Sequence, residues 1–468
     1  MEHASTRSAV KVARTFALGF AEHGRAGFDE LLESSRIDLR KELDLRVAED
    51  RITYLDLPDM NRRIASVALI ALVLRLGAVF STPPELTGDA EEYASLGRHL
   101  RFRGVYSMGG VRHWGHPPAE PPDGRLVPST WRMPGFPLVF AVLWGGDPKQ
   151  PPTRRVQVFN AFCGSATAAL TSAVTGSALA GVVVAVWPLT VATDTAPYSE
   201  ALFTVLMMIG LWLWKRRRVR SAGIALGLAA LTRVAMLPCL MLLPFVSLLR
   251  IPRRREYLIV AFSGLLTFSP WVIRNAILFH KFIPMAVAGS GTNLLAGTIP
   301  VPLFTGGSPW QRYMADPEFY RVTHGDWDDY ETERLLRVSG FRSIAAHPFR
   351  WISARVAQYP RLLVYIGEQW YLRPWMIRPV KIACIFLSVG LVTLAFIGSY
   401  SARRDFEPLI LPAVLLAAIL AMHLPMMVET RLGAPLVPLW VVFASRLIVG
   451  RGRVAPMGQS KPASQLAP

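Results

Sequence analysis

Long apolar runs separated by short charged stretches occupy the chain from residue 64 to residue 449, a pattern that predicts a series of membrane-spanning helices. The runs are 64–80, 156–174, 178–193, 201–214, 221–249, 258–272, 380–398, 408–423 and 432–449. As a single helix, 221–249 would bury Arg233 at mid-bilayer, which costs about 2.5 to 3.5 kcal/mol. Two half-length helices meeting at Thr232-Arg233 avoid that cost, and a break of this kind is tolerated where it lines a polar cavity. Residues 133–146 form a further apolar piece, interrupted by Pro134 and Pro137 and too short to cross, so an interfacial or re-entrant segment is expected there. The expectation is an all-α polytopic membrane protein of about ten transmembrane helices.

Basic residues orient these spans. Arg62-Arg63 precede the first run, Lys215-Arg216-Arg217-Arg218-Val219-Arg220 follows the run that ends at Trp214, and Arg403-Arg404 and Arg451 lie at later turns. By the positive-inside rule these positions face the cytoplasm, together with both chain ends. The loop 81–132, the turn 193–200, the stretch 275–378 and Glu429-Thr430-Arg431 then fall on the extracytoplasmic side. The organisation expected is a cytoplasmic extension 1–60 with helical leucine spacing in 28–47, and a transmembrane module 61–274 carrying a juxtamembrane outer loop. A small extracytoplasmic domain 275–378, C-terminal spans in 379–450 and a disordered Pro/Ser/Gln tail 451–468 complete it.

Composition agrees with a membrane chain and removes other classes. A chain of 468 residues that is 52% hydrophobic and 18% charged is too apolar for an ordinary soluble domain. The net charge of +18 comes in clusters between apolar runs, so it reads as topology, with no nucleic-acid partner. Cys163, Cys239 and Cys384 sit in three different apolar segments, which fits neither a disulfide framework nor a thiolate metal site. The first sixty residues hold no apolar signal core, so 64–80 is expected to act as an uncleaved anchor in an inner (plasma) membrane.

The orientation collects Asp89, Asp194, Glu200, Arg132, Arg233, Arg274, Glu429 and Arg431 on one side. Each has an ordinary explanation. Acids after a span can be a solvated loop, and Glu200 stands in a first helical turn, where the helix dipole favours an acid. Together, carboxylates and arginines about one cavity suit a substrate with a lipid tail and an anionic head, since guanidinium pairs phosphate oxygens through planar double donors. His113 and His116 lack a third ligand, so no metal and no cofactor is expected. Gly289-Ser290-Gly291 is followed by no Lys-Ser/Thr and reads as a turn, and Trp310, Trp327, Trp351, Trp370 and Trp375 read as interfacial. A secondary transporter or lipid flippase would also place charges in the membrane, but no matching half-chain repeats are visible.

Six motifs occur in order: Gly88-Asp89-Ala90-Glu91-Glu92-Tyr93, Arg132-Met133-Pro134-Gly135-Phe136-Pro137, Pro197-Tyr198-Ser199-Glu200, Leu231-Thr232-Arg233, Pro270-Trp271-Val272-Ile273-Arg274-Asn275, and Glu429-Thr430-Arg431. In these the chain resembles the C-type (GT-C) integral-membrane glycosyltransferases, especially the protein O-mannosyltransferase and aminoarabinose transferase branch. The resemblance implies transfer of a sugar from a polyprenyl-phosphate monosaccharide to a lipid, glycan or protein acceptor on the outer face, with inversion. It implies catalytic roles for Asp89, Glu92 and Glu200, with Asp89 as general base. Substrate contacts are implied for Glu91, Tyr93, Arg132, Arg233, Arg274, Asn275, Glu429 and Arg431. Where the family often pairs two acids after the first helix, this chain has Asp-Ala-Glu-Glu, and both Glu91 and Glu92 are candidates for the partner acid.

Overall fold

Helix accounts for nearly all regular structure in the computed structural model, as the apolar runs predict. It describes residues 60–109, 124–249, 251, 253–286, 289–301, 309–324, 329–363, 374–403 and 406–449. The 28–47 pattern, His113, His116, Trp327, Trp370 and the 451–468 tail lie outside the described residues. The chain divides into units 1–63 and 64–468, and the second holds almost everything described.

Helix α1 is Met60–Ser81, α2 Asp89–Arg103, α3 Gly135–Leu143, α4 Thr153–Thr175, α5 Ala178–Val186 and α6 Pro188–Thr195. Then come α7 (Glu200–Lys215), α8 (Val219–Thr232), α9 (Leu237–Val246) and α10 (Arg254–Phe279). A group of shorter helices follows: α11 (Thr292–Ala296), α12 (Pro309–Met314), α13 (Pro317–Thr323), α14 (Asp329–Ala346), α15 (Pro348–Gln358) and α16 (Pro360–Leu363). The chain closes with α17 (Pro374–Ser401), α18 (Ile410–His423), α19 (Leu436–Ala444) and α20 (Arg446–Val449). No strand occurs among the described residues, only an isolated antiparallel bridge between Ser107 and Pro128.

Span number departs from expectation. Four helices are long and apolar enough to cross a membrane, namely α1, α4, α10 and Lys381–Ser401 within α17, or five if α5 and α6 form one span bent by 62°. The other expected spans do not reach that length as single helices among the described residues, because hydropathy registers runs and not the breaks inside them. Apolar segments such as Val219–Thr232, Val234–Val246, Glu407–His423 and Thr430–Ala444 fold as shorter helices. The proposed break at Thr232-Arg233 is present: α8 ends at Thr232, Arg233 is extended, and a 3-10 turn leads into α9. Residues 133–146 give only the nine-residue α3, too short to span. Large apolar side chains on α1 and α17, among them Leu69, Val73, Phe80, Phe386 and Phe396, point out of the fold. That orientation is expected of lipid-facing helices.

A buried ion pair fixes the bend between α5 and α6. Pro188 has no N–H to offer the carbonyl of Val184, so the helix breaks and leaves acceptors open. Arg75, fully buried on α1, donates to the carbonyls of Ala185 (2.9 Å) and Val184 (3.4 Å) and to Asp194 Oδ2 (2.8 Å). Thr190 Oγ1 donates to the Val184 carbonyl as well, at 2.8 Å. Gly164 of α4 packs on this pair so tightly that a Cβ there would lie 2.1 Å from Asp194 Oδ2. Asp194, placed by its sequence among the outer-side charges, is thus the counter-ion of a structural arginine.

The region 289–346 has its own core of Leu295, Ile299, Val301, Tyr313, Phe319, Val322 and Leu336. Glu333 on α14 is buried there and accepts hydrogen bonds from the N–H groups of Gly289 (3.1 Å), Gly291 (2.6 Å) and Thr292 (3.0 Å). The Gly-Ser-Gly turn is therefore a structural anchor.

Replacing Arg75 by Met leaves Asp194 as an unpaired buried carboxylate, and the expected loss is about 3 to 5 kcal/mol. Thermal unfolding in detergent should show Arg75→Met well below wild type, with Asp194→Asn less affected. Equal melting of Arg75→Met and wild type would remove the pair's structural role.

Candidate active site

The segment 88–103, expected as polar loop, is helical. Gly88 takes a positive φ (56°), open to glycine without strain, that lets the chain turn into α2. Asp89, Glu91 and Glu92 then occupy the first turn, where the exposed N–H groups favour negative charge. Residues three and four apart share a helix face, so Asp89, Glu92 and Tyr93 point together while Glu91 turns outward and is exposed. The helix register separates the two candidate acids: Glu92 joins the cluster and Glu91 does not.

Arg132 pairs with two of the three acids of α2, Asp89 and Glu92. Its Nε donates to Glu92 Oε2 at 2.5 Å and its Nη2 to Asp89 Oδ1 at 2.6 Å. The strand-like segment that carries Arg132 is held from behind. Ser129 N–H donates to the Tyr106 carbonyl (2.9 Å), Tyr106 Oη donates to the Arg132 carbonyl (2.8 Å), and Arg274 Nη1 donates to the Ser129 carbonyl (2.8 Å).

The other oxygen of Asp89 belongs to Arg431. From the 3-10 turn Thr430–Gly433, Arg431 Nη2 donates to Asp89 Oδ2 at 2.8 Å and its Nε to Glu429 Oε2 at 2.7 Å. Its guanidinium lies 4.8 Å from the centre of the Tyr198 ring, a cation–π placement. Its Nη1 stands 3.9 Å from Glu200 Oε1.

Glu200 opens α7 and is only 1% exposed. Arg233, freed from helical geometry at the α8–α9 break, places Nη1 2.9 Å from Glu200 Oε1 and donates to Ser199 Oγ at 2.8 Å. Ser199 Oγ in turn lies 3.2 Å from Tyr93 Oη, which closes a ring back to α2. Asn160 of α4 fixes the approach to α7 by donating to the carbonyls of Ala196 (2.7 Å) and Tyr198 (2.8 Å). Gly135 abuts the α8–α9 break, where a Cβ would meet Thr232 Oγ1 at 2.7 Å. The Arg-Met-Pro-Gly motif therefore carries Arg132 and also supports the break that presents Arg233.

The sequence candidates therefore sort into two groups. Asp89, Glu92, Tyr93, Arg132, Glu200, Arg233, Glu429 and Arg431 form one network. Arg274 and Asn275 lie behind it: Arg274 also bonds Asn275 Oδ1, and Asn275 Nδ2 donates to the Ile283 carbonyl. Ser199, Tyr198 and Asn160 belong to the network's frame and were not singled out, although the first two stood in a quoted motif. Among the described residues no group of three or more His, Cys, Asp and Glu is arranged to hold a metal ion.

Electrostatics sets the state of Asp89. Burial alone would raise its carboxyl, but the guanidiniums of Arg132 and Arg431 outweigh burial and hold it well below its ordinary value of 3.8. The carboxylate is ionised at neutral pH and, with both oxygens engaged, a weak base. The arginines retain access to a ligand, with side-chain exposures of 23% for Arg132, 20% for Arg233 and 26% for Arg431.

No protein-family model matches the chain, and no curated protein matches it. Among solved structures it is similar to the Archaeoglobus fulgidus oligosaccharyltransferase in the apo form, at 13% identity and a TM-score of 0.48, over 84% of this chain and 50% of that one. It is also similar to the archaeal oligosaccharyltransferase AglB from the same organism in complex with an inhibitory peptide and a dolichol-phosphate, at 12% identity and a TM-score of 0.46, again over 84% and 50%. A third is ArnT from Cupriavidus metallidurans bound to undecaprenyl phosphate, at 13% identity and a TM-score of 0.37, over 83% of this chain and 79% of that one. The chain spans half the length of the oligosaccharyltransferase chains. At such scores the likeness carries no argument about this chain's chemistry, and the functional reading rests on the side chains.

The register of α2 makes a test. Glu92→Gln weakens one half of the Arg132 clamp and is expected to cost about 1 to 3 kcal/mol, whereas Glu91→Gln should stay within about 0.5 kcal/mol of wild type. Thermal denaturation of the two variants side by side reads the difference. Equal effects would contradict the placement of Glu92.

Proposed function

We propose that the protein is an integral-membrane glycosyltransferase that moves a sugar from a polyprenyl-phosphate monosaccharide to an acceptor hydroxyl on the extracytoplasmic side. The observation that carries this reading is the convergence of Arg132, Arg233 and Arg431 around Asp89, whose two carboxylate oxygens each rest on a different guanidinium.

Such a site suits a reaction whose leaving group is already an anion. As the bond between the anomeric carbon and the phosphate oxygen breaks, its electron pair stays on the phosphate, and paired guanidinium donors stabilise it without any proton transfer. The acceptor oxygen forms the new bond from the opposite face of the sugar, so configuration inverts, and its proton goes to a carboxylate. Asp89 is that base in this reading, with Glu92 orienting Arg132 and Glu200 orienting Arg233. Phosphate competes with carboxylates for the same guanidiniums. Donor binding at Arg431 or Arg132 therefore withdraws one partner from Asp89 and frees an oxygen lone pair where the acceptor arrives. The base becomes effective only when donor is in place, which disfavours hydrolysis by stray water.

The roles of the parts follow. Residues 61–274 supply most of the cluster, 429–431 close it, and 275–378 lie on the extracytoplasmic side in this reading. The bilayer delivers the lipid-linked donor.

Incubation of the purified protein with a radiolabelled polyprenyl-phosphate sugar should release the label from the lipid or pass it to an acceptor. Asp89→Asn keeps shape and cannot take a proton, so turnover should fall by about 10²- to 10⁴-fold in a protein that melts as a folded unit. Wild-type turnover in Asp89→Asn would defeat the base assignment, and no sugar release by wild type would defeat the enzyme reading in favour of a carrier.

Sidedness has its own test. A cysteine at Gly124 should react with an impermeant reagent in intact cells, and one at Val219 should not. The reverse pattern would put the cluster on the cytoplasmic face.

A further inference from the structure

Helix α15 (Pro348–Gln358) is built inside out for a helix in water. The face it turns into the protein carries Ala354, Arg355 and Gln358, all buried. Arg355 donates to the carbonyls of Met426 and Gly297, and Gln358 Nε2 donates to the carbonyl of Ile299 at 2.5 Å. The opposite face carries Phe349, Ile352 and Val356, which are 85%, 48% and 71% exposed. These three sit at i, i+3 and i+7, one stripe of an α-helix, and Phe341 near the end of α14 adds a further exposed ring. Buried polar groups beneath and large apolar groups outside reverse the ordinary order for a soluble surface. The helix has only eleven residues and cannot cross a bilayer.

Its position indicates what covers the stripe. Met426, whose carbonyl anchors Arg355, lies three residues beyond the end of the apolar helix α18 at His423, and the neighbouring Tyr359 Oη donates to the Leu420 carbonyl of α18 at 2.7 Å. α15 therefore sits level with the C-terminal end of the apolar helix α18. Exposed Arg342, His347 and Arg350 lie along the same stretch, where they can meet lipid phosphates.

We propose that α15 is an in-plane interfacial helix, with Phe349, Ile352 and Val356 inserted among the lipids at the membrane surface. The partner this surface fits is the bilayer itself, and the basic residues beside the stripe hold the headgroups. Glu429 and Arg431 follow the same anchor, Met426, by a few residues. The helix thus places a lipid-immersed element beside the cluster that would receive a lipid-borne substrate. The proposal needs the chain to be membrane-embedded but does not need it to transfer a sugar.

The test is spin labelling in nanodiscs that hold one copy of the full chain. Single cysteines replace Phe349, Ile352 or Val356, with Phe386→Cys on α17 as the lipid reference and Arg220→Cys at the basic turn as the water reference. The native Cys163, Cys239 and Cys384 are buried and remain in place. Collision rates with oxygen, which partitions into lipid, and with a water-soluble nickel chelate are compared for each label. All three stripe positions should give oxygen-to-nickel ratios several-fold above Arg220→Cys, approaching Phe386→Cys. Nickel-dominated ratios would show the stripe in water, and protection from both reagents would show it covered by protein; either overturns the proposal. Because no catalytic readout enters, this result and the sugar-transfer assay can fail independently.

Discussion

The sharing of Asp89 between two guanidiniums is the contact on which the site depends. One carboxylate oxygen is held by Arg132 from the segment behind α2, the other by Arg431 from a turn more than three hundred residues later. Each arginine is in turn held by its own acid, Glu92 or Glu429. Such half-buried pairs add little net stability, because desolvating the charges offsets their attraction. Their cost is the constraint they impose: removing one member strands the others in a poorly solvated place. The arrangement keeps several arginines assembled at one spot without letting them repel one another apart.

The same logic explains why helices break where they do. A guanidinium can reach into a cavity from a helix end more easily than from a helix wall, and Arg233 is presented from an extended residue between α8 and α9. Arg75 shows the contrasting use of an arginine in an apolar setting. It is fully enclosed, its donors are taken up by the carbonyls that Pro188 leaves open and by Asp194, and nothing about it is available to a ligand. Exposure, not residue type, separates the two.

Much of this was legible from the chain because charge and hydropathy are local. The break at Arg233 and the gathering of Asp89, Glu200, Glu429, Arg132, Arg233 and Arg431 follow from apolar runs and basic clusters, whereas the bend at Trp187-Pro188 lies inside a run that reads as one span. Other features are set by packing. The helical register of α2 was present in Ala90, Tyr93, Ala94 and Gly97 at i, i+3, i+4 and i+7, but a polar stretch after a span reads first as loop, and the choice of Glu92 over Glu91 was lost with it. Arg274 stands in a motif beside the cluster, yet it spends its donors on Ser129 and Asn275, a partnership no local pattern encodes. Several apolar runs that read as spans fold as shorter helices, for the reason that makes the site possible: breaks within the runs shorten helices and open polar ground between them.

If carboxylates and a lipid phosphate compete for the same guanidiniums, neutralising a carboxylate must strengthen phosphate binding even as it removes the proposed base. The most direct measurement is the affinity of purified wild type and Asp89→Asn for a polyprenyl phosphate, with the uncharged polyprenol as reference. The account predicts that the phosphate lipid binds far better than the alcohol, and that Asp89→Asn binds the phosphate lipid more tightly than wild type does. Equal binding of phosphate and alcohol, or weaker phosphate binding by Asp89→Asn, would contradict it.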